Sequence, residues 1–409
     1  MKFSKTAALL LAGGVLLNVS ACSMTRESAE AGTSFTPRTT CDADGNSQGI
    51  SDSTISLGMF TPMTGPASTA GLGALEGFNY AIDKANAAGG VQGRTIELAV
   101  EDDQYDAAVA QKAIRRLETD TEVFAVAGGV GTPNFVAVLP YIKENGIPAV
   151  GPYAPSNQVG VIENPDVYMI WPNYVDEFEA ALSWIMEEQP AKSVSFVQQV
   201  GDVGDDALAG IERALEGTGV ELATIETVEA TTTDFTAIAQ SLKNADSELV
   251  VFISGPVVVG QSIKAMHQLG YTPRTLGPSD LTDETFAEEF PAESNGMIVP
   301  TRTTPNTSTD PLVQEFVTGF TEANGTAPTM WNAVGYTQAM ITLEALENAE
   351  ALTRDCFEYA LDQMEGFETG FIPPVTFGPS NRQGVNAVGV GQIMDGEITE
   401  VAPFQVLAD

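Results

Sequence analysis

Histidine is almost absent from this 409-residue chain: His267 stands alone. Cysteine is scarce too, with three residues, and 18 basic residues face 55 acidic ones. Each scarcity excludes something. One histidine and no paired cysteines at zinc spacing leave a His/Cys metal site without a ligand set. His267 lies within Ile263-Lys-Ala-Met-His-Gln-Leu269, which reads as a helix, and no nucleophile signature accompanies it. A formal charge of −37 would repel nucleic acid and describes a well-solvated exterior. Neither a Gly-x-Ser-x-Gly elbow nor a Gly-x-x-x-x-Gly-Lys-Ser/Thr loop occurs. Gly128-Gly-Val-Gly131 lacks dinucleotide-loop spacing and runs into Pro133. Glu101-Asp-Asp103 could be a carboxylate cluster for a metal, but reads better as the water-facing end of a strand. No cofactor and no metal are expected, and an enzyme is the weaker hypothesis.

What is there begins with a leader. Lys2 and Lys5 precede an apolar stretch, Ala7–Leu17, too short to span a bilayer comfortably. Small residues then lead to Cys22, as in a secretory signal. Val19-Ser-Ala-Cys22 resembles a bacterial lipobox, which implies cleavage before Cys22 and lipidation of its thiol. Residues 23 to about 50, rich in Ser, Thr, Ala, Gly and Asp, read as a flexible tether. No later run is long enough for a transmembrane helix. An exported location permits a disulfide between Cys41 and Cys356, with two free thiols as the alternative.

About 360 residues follow, enough for two domains. Apolar runs at 55–60, 96–103, near 127 and at 146–152 each stop in a Gly, Pro or small polar loop. Between them lie amphipathic segments; Leu75, Phe78, Ile82 and Ala85 share one helical face. The alternation continues, with a dense β-branched run at Leu249–Ile253 suited to a strand buried on both faces. Helices are expected at about Pro311–Asn324, Trp331–Ala349 and Thr353–Met364, then a β-rich end from Pro374 to Leu407. Such alternation gives an α/β fold with parallel sheets, and ligands bind at the carboxyl ends of such strands.

The order and wording of Ile55–Pro152 resemble the type I periplasmic binding proteins, in particular the branched-chain amino acid receptors of ABC transporters. The resemblance implies two Rossmann-like lobes joined by a three-stranded hinge. One lobe would be 50–171 plus 300–372, the other 172–299 plus 373–409. It also implies ligand contacts. Thr132, after Gly131 and before Pro133, stands where the family places a ligand-binding Ser. Its hydroxyl and nearby N–H groups could hold an anion at a helix N-terminus. Tyr153 and Ala154 stand where backbone groups hold a ligand carboxylate.

The departures from the family matter as much. Pro155 replaces a Thr and offers neither N–H nor hydroxyl. Ser279 follows Gly277-Pro278 where a Glu for the ligand ammonium is usual, and Asp280 could supply the charge from one position along. Family aromatics are replaced by Ala70, Val203 and Gly255-Pro256. Trp171 stands where an Arg is usual, with Tyr174 shortly after. The cleft therefore reads as remodelled and more apolar. The implied function is a lipid-anchored, monomeric solute-binding component of an ABC importer. It would take an amino acid or an aromatic or aliphatic carboxylate and present it to permease subunits. A receptor working with a separate signalling partner is the second reading, and a hydrolase the third.

Overall fold

A computed structural model describes residues 38–407. The leader, Cys22 and the first part of the tether lie outside these residues. Two sheets organise the chain. The first contains β1 (Thr54–Thr61), β2 (Thr95–Asp102), β3 (Ala125–Ala127), β4 (Ala149–Val150) and β5 (Val167–Tyr168). Its order is β2-β1-β3-β4-β5 and every pairing is parallel. Helices α1 (Ser68–Ala87), α2 (Ala107–Thr119) and α3 (Thr132–Asn145) make the crossovers. Asp106 starts α2 by accepting the N–H groups of Ala108 and Val109, which the first helical turn cannot satisfy itself.

After β5 the chain enters the second half. Here α4 (Tyr174–Glu188), β6 (Val194–Gln199), α5 (Asp202–Leu215), β7 (Leu222–Val228), α6 (Thr236–Ala245), β8 (Leu249–Ile253), α7 (Pro256–Gln268) and β9 (Arg274–Leu276) alternate. A 3₁₀ turn (Ser279–Thr282), α8 (Glu284–Glu289), α9 (Pro291–Ser294) and β10 (Ile298–Thr301) follow. The chain then returns to the first half for α10 (Pro311–Asn324), α11 (Met330–Asn348) and α12 (Arg354–Asp362), and ends in β11 (Ala387–Met394) and β12 (Glu397–Val406). The second sheet runs β12-β11-β10-β9-β8-β6-β7. β11 pairs antiparallel with both β10 and β12, and the other pairings are parallel. Every residue of β8 is buried, as a central strand covered on both faces requires. Edge strand β7 instead alternates between half-buried and exposed positions.

Chain crossings fall slightly later than the expected lobe boundaries. Pro300 and Thr301 still pair with β11, opposite Val390 and Gly389. Val375, Phe377 and Val385 pack in the first core, so the last crossing lies nearer 386 than 373. The short helical region 279–294 was not expected from the sequence.

Helix α11 is buried nearly all round, because it runs between α1 and the first sheet. It lies close on α1 through glycines. A Cβ at Gly77 would come 1.9 Å from the Asn332 carbonyl oxygen, and one at Gly335 would come 1.8 Å from that of Ala74. This close approach sets where Trp331, at the start of α11, projects.

The expected tether ends sooner than residue 50. Cys41 and Cys356 are joined in a disulfide. Around it, the Thr353 hydroxyl donates to the Asp42 carbonyl (2.8 Å), and the Arg354 N–H to that of Asn46 (2.8 Å). Arg38 enters a buried ion cluster. It pairs with Glu358 and lies 3.6 Å from Asp166 and 3.7 Å from Asp362. Arg382 meets Asp362 at 2.7 Å, and its guanidinium stacks 4.5 Å from the Tyr168 ring centre. Residues 38–50 are thus docked on the first half.

Candidate interlobe binding site

Strand ends and helix starts from both halves enclose a cavity of about 340 Å³. That lies at the lower end of small-ligand sites. From the first half come Ala70, Tyr105, Gly131, Thr132, Tyr153 and Trp331; from the second, Tyr174, Val203, Ser254, Pro256, Asp280 and Phe286. Thr231, Thr232 and Thr233 add hydroxyl-bearing side chains from the loop after β7.

Thr132 opens α3, with Gly131 as the residue before it and Pro133 in the first turn. Its hydroxyl lies 3.3 Å from that of Tyr174, the first residue of α4. Tyr153 follows β4. Its N–H donates to the Gly129 carbonyl (2.9 Å), and its own carbonyl accepts from Gly131 (3.0 Å). The backbone N–H groups of Tyr153 and Gly131 are therefore already used. Neither is open to a ligand carboxylate, and Pro155 has no N–H, whereas those of Thr132 and Ala154 have no backbone partner among the described residues.

The Tyr153 ring stands between Trp171 and Trp331, 5.1 and 5.0 Å away centre to centre. Its hydroxyl donates to Asp280 (2.8 Å) and accepts from Arg302 (3.0 Å). The Arg302 guanidinium lies 5.3 Å from the Tyr153 ring centre and 4.9 Å from that of Tyr174. It is ion-paired with Glu177 of α4, and the side chains of both are almost wholly inaccessible. Glu177 also accepts the Ser279 N–H (2.8 Å) and hydroxyl (3.2 Å).

Burial is the main electrostatic influence. It pushes Glu177 up to about 7, against the pull of Arg302 and of the Ser279 hydrogen bonds. It raises Asp280 as well, opposed by Arg302 and the Tyr153 hydroxyl. Burial works against the Arg302 charge, but Glu177, Tyr153, Tyr174 and Asp280 outweigh it and hold its pKa above the ordinary value. Burial also lifts Tyr105 to about 12, so this phenol stays neutral.

Of the residues singled out from the sequence, Gly131, Thr132, Tyr153, Tyr174, Val203, Pro256 and Asp280 meet at the cavity. Three do not reach it. Trp171 is fully buried behind Tyr153, and its ring N–H points to the Gly151 carbonyl (3.4 Å). Ala154 lies in the first core. Ser279 is turned to Glu177. Sequence reasoning missed Tyr105, Trp331, Glu177 and Arg302. Arg302 carried one signal: a basic residue directly after an apolar strand, in a chain with few basic residues. Glu101-Asp-Asp103 divides its roles. Glu101 pairs with Arg116 (2.5 Å), and Asp102 accepts the Met63 N–H (2.9 Å) and the Thr64 hydroxyl (2.7 Å). Asp103 is fully buried rather than facing water, and burial raises its pKa to about 6. Among the described residues no group of three or more His, Cys, Asp or Glu is placed to hold a metal.

The sequence profile of the periplasmic binding protein family matches residues 54–397, from β1 into β12. The chain belongs to the periplasmic binding protein family. It is similar to a Leu/Ile/Val-binding protein homolog 3 of Brucella melitensis, 24% identical over 232 residues, 57% of this chain and 63% of that protein. The match thus spans less than two thirds of that relative. A leucine-, isoleucine-, valine-, threonine- and alanine-binding protein of Pseudomonas aeruginosa is 23% identical over 318 residues, 75% of this chain and 83% of its own length. Among solved structures, a fatty acid ABC transporter substrate-binding protein from Thermomonospora curvata superposes with a TM-score of 0.81 at 21% identity, covering 88% of this chain and 95% of that one. That likeness concerns the fold. The relatives it matches are substrate-binding proteins rather than enzymes, and the family implies a place outside the cytoplasm. Among the described residues no helix is long and apolar enough to cross a membrane.

Proposed function

We propose that this protein is the lipid-anchored solute-binding component of an ABC importer. It captures a small organic ligand in the interlobe cavity, and closure of the two halves presents the complex to membrane permease subunits. Lipidation at Cys22 would hold it at the outer face of the cell membrane, where it acts as a monomer. The observation that carries this reading is the shared wall: Thr132, Tyr153 and Trp331 from one half face Val203, Pro256 and Asp280 from the other across one cavity. A ligand touching both walls favours their approach. The names of the relatives, binders of aliphatic amino acids and of a fatty acid, are in keeping with a small, partly apolar ligand.

A thermal-shift screen of amines, amino acids and organic acids tests the reading. A ligand at 100 times its dissociation constant adds about 2.7 kcal/mol to folding stability. With a binder in hand, Thr132→Ala is expected to weaken it by about 1–3 kcal/mol in titration calorimetry, the cost of a lost hydrogen bond to a charged group. Unchanged affinity removes Thr132 from the site.

A further inference from the structure

Resting on that reading, we propose that the ligand is an organic cation: an amine or quaternary ammonium on an aromatic or branched aliphatic body, without a carboxylate. The charges around the cavity carry the argument. Asp280, Asp283 and Glu289 line it, and no Lys, Arg or His does. Arg302 is ion-paired with Glu177 and lies 3.9 Å from Asp280, with the two tyrosine rings against it, so Asp283 is a lining acid with no guanidinium beside it among the described residues.

Asp283 is the informative residue. It is 2% exposed, yet it lines the cavity. One carboxylate oxygen accepts the Thr285 N–H (3.1 Å) at the start of α8. The other has no hydrogen-bond partner among the described residues. Asp280 lies three residues earlier, inside the 3₁₀ turn that ends at Thr282, and both residues line the cavity. Two carboxylates thus border one small apolar space. A desolvated carboxylate without a counter-charge is costly, and an ammonium in the cavity removes the cost. The faces of Tyr105, Tyr153, Tyr174, Trp331 and Phe286 suit the same cation, since aromatic faces attract positive charge.

An anion would find its backbone donors chiefly at the two helix starts. The N–H groups of Gly131 and Tyr153 are paired with backbone carbonyls, and Pro133 and Pro155 have none, which leaves Thr132 and Asn134 on α3 and Val257 and Val258 on α7. The starts of α3 and α7 do face the cavity. Each helix end carries about half an elementary charge, and each has a proline in its first turn. The carboxyl groups of Asp280 and Asp283 on the same cavity oppose them.

The test is titration calorimetry on the protein with two matched series. One is isopentylamine, leucine and 4-methylpentanoate; the other is phenethylamine, phenylalanine and 3-phenylpropionate. In at least one series the amine is expected to bind tenfold or more tightly than the amino acid, with no measurable binding of the acid. Asp283→Asn keeps the helix-capping oxygen and should weaken the amine at least tenfold. If that variant does not fold, Asp280→Asn reads the same loss. An amino acid or acid that binds more tightly than its amine overturns the cation assignment and leaves solute capture standing. Amine affinity unchanged in both variants overturns it as well. No binding across both series overturns the assignment together with the capture reading from which it grows.

Discussion

Two buried ion clusters use the same chemistry for different ends. The first joins Arg38 and Arg382 to Asp166, Glu358 and Asp362, and all of it lies in one half of the molecule. It is further tied down by backbone: Arg382 donates to the carbonyls of Pro165 (2.6 Å) and Gly378 (2.8 Å), and Tyr168 donates to Glu358 (3.0 Å) and Asp362 (2.9 Å). The second joins Arg302, Glu177, Asp280 and Tyr153, and Tyr153 belongs to the opposite half from Glu177 and Asp280. The first has two guanidiniums and many carbonyl contacts. The second has one guanidinium, and its remaining acid borders a cavity. A cluster confined to one half fastens the fold. A cluster divided between the halves makes the cleft wall depend on how the halves meet.

The comparison can be broken at its single cation. Arg302→Met strands Glu177, and unfolding in urea should show a loss of about 3–5 kcal/mol, the cost of an unpaired buried charge. Adding Glu177→Leu should restore most of it. Removing the disulfide beside the first cluster comes next. Cys41→Ser with Cys356→Ser should cost about 2–4 kcal/mol without changing ligand affinity.

Asp103 sharpens the contrast, because it is a buried acid in neither cluster. Its pKa is raised from the ordinary 3.8 to about 6 in the fold. The folded state therefore holds its proton more tightly than the unfolded chain. The associated stability is complete below pH 3.8 and is lost as pH rises through about 6, a change of about 3 kcal/mol. Asp103→Asn should flatten the melting temperature across that window. Smallest is Arg38→Met, at about 1–2 kcal/mol, since Arg382 still faces Asp362. A loss as large as that of Arg302→Met would end the distinction between the two clusters.

Most of the fold was legible because it is written locally. The β-branched run Leu249–Ile253 and the helical face of Leu75, Phe78 and Ile82 each announce their partner layer. The region 279–294 was not, since a 3₁₀ turn and two helices of six and four residues are too short to show a period. At the site, Gly131, Thr132 and Tyr153 follow strand ends, where position alone points to a cleft. Arg302 and Glu177 are 125 positions apart and meet only when α4 packs against the end of β10 within the second half. Trp331 reads as an ordinary helix start until the glycines of α1 and α11 bring it against Tyr153. Trp171 was singled out because it stands where the family has an Arg, and in the fold it backs the Tyr153 ring.

The bond between Cys41 and Cys356 also decides how the molecule carries tension. A pull on the chain ahead of residue 41 is taken up before β1, an inner strand of the first sheet. It is diverted at Cys41 into α12 and spread through Asp42, Asn46, Thr353 and Arg354 to the surrounding surface. The load path thus bypasses the cleft, and the two halves remain mechanically insulated from whatever holds the leading end.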